Sequence, residues 1–62
     1  MIKTVRTKQG GLYRMESVGE GERIQVEVTK KVNNIYMKHF KFASGEKMFI
    51  KREMERMKQQ LL

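Results

Sequence analysis

Apolar and polar residues alternate along the first two thirds of this chain, and the period then lengthens. The cleanest stretch is Arg23-Ile24-Gln25-Val26-Glu27-Val28-Thr29, which puts Ile24, Val26 and Val28 on one face of an extended strand and the polar residues on the other. It predicts a strand over 22–30 with Val26 turned inward. Upstream, β-branched Ile2, Thr4, Val5 and Thr7 predict a strand over 2–7. Lys8-Gln9-Gly10-Gly11 ends it, because paired glycines reach the positive φ values of a tight turn. A second strand over 12–18 follows, closed by Gly19-Glu20-Gly21. Lys30-Lys31-Val32-Asn33-Asn34 reads as the next turn, with both asparagines suited to left-handed positions.

A fourth strand is expected over 35–42, but its phase is inconsistent. Ile35 and Met37 share one face, whereas Tyr36, Phe40 and Phe42 share the other. Such a pattern calls for a bulge near His39 or for a strand covered on both faces. Beyond Ala43-Ser44-Gly45-Glu46, Met48-Phe49-Ile50 allows a brief fifth strand over 47–50. Ile50, Met54, Met57 and Leu61 then recur at helical spacing and predict a helix over 51–62. Its apolar stripe is narrow, fit either to cap the sheet or to meet a second copy of the chain. The expected fold is mainly β, a small α+β domain. It is an antiparallel meander or small barrel of four to five short strands followed by one C-terminal amphipathic helix, all in one domain over 1–62.

Length and composition narrow what this domain can be. Sixty-two residues supply one modest core, which at this size is commonly reinforced by a disulfide, a metal or a second subunit. Without cysteine there is no disulfide, and a lone His39 is a poor start for a zinc site of about four ligands. A homodimer is the remaining expectation, and no cofactor is expected. No stretch approaches the roughly 20 apolar residues of a membrane helix or resembles a signal peptide, so a cytoplasmic location away from membranes is expected.

The chain carries a net charge of +7, with glutamate as its only acid. Seven cations fall between Lys30 and Arg52 against the single acid Glu46. Such an excess favours phosphate-rich partners through attraction and counterion release. Within that segment, lysines interleave with aromatics, a composition that lets bases stack while ammonium groups track the phosphates. RNA or DNA is therefore the expected partner. The candidate contacts are Lys30, Lys31, Tyr36, Lys38, Lys41, Lys47, Lys51 and Arg52, acting in a non-enzymatic regulator. Phe40 and Phe42 fit a core as well as a stacking surface.

The alternative is a small inhibitor or adaptor that docks on a larger protein such as a polymerase or nuclease, through an edge strand or through Met54, Met57 and Leu61. The same helix residues would serve a dimer contact. A catalytic reading finds little: His39 has no partner at a recognisable spacing, and no phosphate loop or nucleophile motif is present. Gly21-Glu22-Arg23-Ile24-Gln25-Val26-Glu27-Val28, followed later by Ile50-Lys51-Arg52-Glu53, resembles in design the central strand and strand-to-helix junction of the carbon storage regulators. These are short dimeric RNA binders. The chain departs from their pattern in having no proline, a longer segment after Val28 and a different first strand, so no family is assigned on these residues.

Overall fold

The computed structural model describes residues 1–61. Four antiparallel strands form an open sheet in chain order: β1 (Ile2–Arg6), β2 (Leu12–Val18), β3 (Gln25–Val32) and β4 (Ile35–Met37). One helix, α1 (Glu46–Leu61), lies across one face. The architecture is the expected small, mainly β fold with a C-terminal helix, as an open sheet rather than a closed barrel.

Register decides which residues share a face. Val5 pairs with Tyr13, Tyr13 with Lys30 and Met15 with Val28, so these side chains project toward α1. Tyr13, Met15 and Ile50 are fully enclosed, and Met57 nearly so; Val5 and Val26 complete the core. Each such burial contributes roughly 1.5–3 kcal/mol, which makes a core of six apolar side chains a thin one. The opposite face, carrying Thr4, Arg14, Glu16, Glu27, Thr29, Lys31 and Tyr36, has no helix over it.

The connections follow local chemistry. Asn33 and Asn34 both take positive φ, 49° and 65°, in a two-residue hairpin that joins Val32 to Ile35. At Gly19 (φ 95°) a Cβ would sit 2.6 Å from the Arg23 carbonyl oxygen, so only glycine lets the chain fold into the short 3-10 turn Gly21–Arg23. That turn consumes the residues expected to begin the third strand, which starts at Gln25. At its other end Lys30 and Lys31 stay in the strand, leaving Asn33-Asn34 alone as the turn.

Three expectations at the C-terminal side need correction. The fourth strand ends at Met37 instead of running to 42, and this resolves the phase conflict without a bulge. The chain leaves the sheet at Lys38, and Phe40 and Phe42 turn back beneath it to pack on Tyr13, with ring centroids 5.6 Å away in each case and 4.9 Å from each other. Tyr36 therefore lies on the face opposite the two phenylalanines. No fifth strand forms among the described residues, since Met48, Phe49 and Ile50 already belong to α1. The helix begins at Glu46, five residues before its expected start, because Ile50 is the first contact of the helical stripe with the sheet. Leu62, the expected last helical residue, lies outside the described residues.

The helix start is tied to the first hairpin by a buried polar cluster. The Thr7 hydroxyl donates to Glu46 Oε2 at 3.0 Å and accepts from the Gly11 backbone N–H at 2.9 Å. A Cβ on Gly11 would collide with the Glu46 carboxylate, so glycine is required there for closeness. Glu46 is only 2% exposed. Burial pushes its carboxyl upward, but the Thr7 hydroxyl, the facing Tyr13 hydroxyl, Lys30 and the Ala43 backbone outweigh this and hold it below the usual range. Its place in the first helical turn also favours a carboxylate. Burial, followed by the neighbouring Glu46 charge, raises Tyr13 from 10.0 to about 12.

Candidate nucleic-acid interface

Strand alternation turns Tyr36 out of the open face, where it is 45% exposed. Its cross-strand partner Lys31 places its ammonium 5.8 Å from the ring centroid, and the Arg14 guanidinium approaches to 5.6 Å. Both distances are within cation–π reach. Arg14 arrives two strands away through the pairing of Arg14 with Thr29. Tyr36, Arg14, Thr29 and Lys38 line a cleft of about 260 Å³, with Glu16 and Glu27 also in its lining. Those two glutamates face each other across β2 and β3, and Arg14 reaches Glu16 at 3.8 Å. The open face is thus basic toward β4 and acidic toward the second turn. At the cleft, the Thr29 Oγ1 is buried without a hydrogen-bond partner among the described residues.

A second basic region lies on the helix side of the sheet. A groove of about 500 Å³ runs between β3, the segment 38–45 and α1, walled by Val26, Val28, Phe40, Phe42, Ile50 and Met54 and rimmed by Lys38, His39, Lys47 and Lys51. Among the described residues no carboxylate lines it. Lys38 belongs to both regions, since it also borders the open-face cleft.

The eight expected contacts are accordingly divided. Lys31, Tyr36 and Lys38 meet on the open face, and Lys38, Lys47 and Lys51 surround the groove. Lys30 sits on the covered face with its ammonium 5.6 Å from the Tyr13 ring, where it supports the core cluster. Lys41 is exposed on the connecting segment and lines neither region. Arg52 lies on the outer side of α1, its guanidinium 3.9 Å from the Met48 sulfur. Among the described residues, ion pairs join Lys3 to Glu53, Arg14 to Glu16 and Arg56 to Glu53, and none involves the lysines of the two regions.

Arg14, Thr29 and His39 join the site without having been expected there. The alternation of β2 could have turned Arg14 outward, but only the register across three strands brings it to Tyr36. Of the helix residues expected to meet a partner, Met57 is buried in the core, while Met54 and Leu61 are partly buried against it; this stripe packs on the chain's own sheet.

Among the described residues no three histidines, cysteines or acids gather in a metal-binding group. Among the described residues no helix is long and apolar enough to cross a membrane. No family model matches the chain, and neither a curated protein nor a solved structure does so.

Proposed function

We propose that this protein is a small, non-enzymatic regulator that binds RNA or DNA, acting in the cytoplasm and as a homodimer. The observation that carries the reading is Tyr36, exposed on an uncovered sheet face between Arg14 and Lys31, with Lys38 beside it. An exposed ring offers a stacking surface to any base, and the flanking cations meet the adjoining phosphates. The cations also hold the ring in place, so little side-chain freedom is lost on binding. A dimer would add to a thin core and could use either free sheet edge, β1 or β4.

The test is a titration against mixed nucleic acids at two salt concentrations. Affinity should fall steeply as salt rises, and replacing Lys31, Lys38 and Lys51 together by alanine should flatten the slope of log affinity against log salt by roughly 0.7–0.9 per lost contact. A triple variant that folds and keeps both affinity and slope would count against the reading.

One observation favours the second reading, an inhibitor or adaptor that docks on a larger protein. Val32, Ile35 and Met37 project together from the β3–β4 hairpin, and Ile35 is 64% exposed. Salt-insensitive binding to a protein, lost on Ile35→Asp, would support that alternative.

A further inference from the structure

The open face presents a single exposed ring, whereas the groove on the other side of Lys38 has apolar walls and a lysine rim. We propose that this groove, between β3 and α1, receives one unpaired nucleobase of the strand held at Tyr36, with Lys38, Lys47 and Lys51 on the neighbouring phosphates; this rests on the nucleic-acid reading above.

Three observations carry it. First, the groove has the chemistry of a base pocket: apolar walls that include Phe40 and Phe42, a rim of lysines, and, among the described residues, no carboxylate in its lining. A ligand seated there is satisfied by a flat apolar body with negative charge at its margin. Second, its volume of about 500 Å³ falls within the roughly 300–1,000 Å³ typical of clefts that receive small organic groups. Third, Lys38 lines both the groove and the Tyr36 cleft, so one strand can pass from platform to groove around a single side chain. A paired base presents only its edge, whereas an unpaired one can insert its faces between such walls. The inference therefore makes the protein selective for single strands. A second copy of the chain is a poor occupant, because its own excess of lysines would meet this rim.

The experiment measures fluorescence anisotropy with three ligands of equal length: an intact single strand, the same strand with abasic residues, and the duplex. The intact strand should bind about tenfold more tightly than either of the others, in keeping with one stacked base. Val28→Phe, which fills the groove without touching a charge, should remove most of that advantage and leave the salt slope intact. Should Val28→Phe lower the melting temperature, Met54→Phe fills the groove from the opposite wall. Lys47→Ala with Lys51→Ala, both at exposed helix positions, should weaken binding and flatten the salt slope. Tyr36→Ala should weaken binding while keeping the sensitivity to Val28→Phe.

If Tyr36→Ala weakens binding but both filling variants behave as the parent, the groove inference falls and the open-face reading stands. If the parent protein binds none of the three ligands, or binds only an acidic polypeptide such as polyglutamate, both fall together.

Discussion

Two tyrosines, each on a strand and each beside a cation, have opposite fates in this fold. Tyr13 lies under Lys30 at 5.6 Å, faces α1 and is fully enclosed. Tyr36 lies beside Arg14 and Lys31 at nearly the same distances and stands in solvent. The aromatic and the cation are the same chemistry in both places, so neither marks a binding site by itself. What separates them is which sheet face the helix covers. On the covered face the half-buried cation lies against an enclosed ring; on the open face the same pair is available to a ligand.

The sharpest way to break this comparison is to remove each ring. Tyr13→Ala should cost about 3–5 kcal/mol through lost burial and a residual cavity, enough to abolish the cooperative thermal transition of a domain with so thin a core. Tyr36→Ala should change stability by less than about 0.5 kcal/mol. It should instead cost about 1–3 kcal/mol in single-strand affinity. Equal melting temperatures for the two variants would show that the faces do not differ as described.

pH separates the faces next. The Glu46 carboxyl is held low in the folded state, so its stabilisation is present above the unfolded value of 4.5 and is lost as pH falls through its folded value. Tyr13 behaves in the opposite sense. Its folded value of about 12 lies above the unfolded 10.0, so the contribution is complete below 10.0 and disappears as pH rises toward 12. Denaturant midpoints against pH should fall at both ends. Tyr13→Phe should remove the alkaline fall, and Tyr36→Phe should leave it unchanged.

The smallest expected effect concerns the rim of the covered face. Lys3 reaches Glu53 at 3.1 Å in a partly exposed pair, and Lys3→Ala should cost only about 0.2–1 kcal/mol, less in high salt. A larger loss would mean that the pair fastens α1 to β1 more strongly than an exposed ion pair does.

Much of this architecture is legible in the residues. The alternation through Val26 and Val28 marks the inward face of β3, although Ile24, which continues the same pattern, falls in the turn before it, and Ile50, Met54, Met57 and Leu61 mark the inward face of α1. The conflict of phase after Met37 is also visible, but it admits several geometries, and only packing shows that Phe40 and Phe42 leave the sheet to join Tyr13. The candidate site was half visible. Tyr36 and its neighbouring lysines stand together in sequence, whereas Arg14 comes from a strand two positions away in the sheet. Lys30 looks like Lys31 in the sequence, and the period of the strand sends the two to opposite faces. Glu46 resembles an ordinary turn residue until the helix start meets Thr7.

The bond between Thr7 and Glu46 spans 39 residues, whereas each hairpin of the sheet closes locally. Hairpins form within about 1–10 μs, whereas this bond must wait until residue 46 has been made. During synthesis, at about 5–20 residues per second, β1, β2 and β3 are made seconds before α1. Tyr13, Met15 and Val26 then wait uncovered on one side of a nascent sheet. The helix is thus the lid that ends the exposure of that surface, and any slowing of its arrival lengthens the interval in which two such sheets can meet face to face.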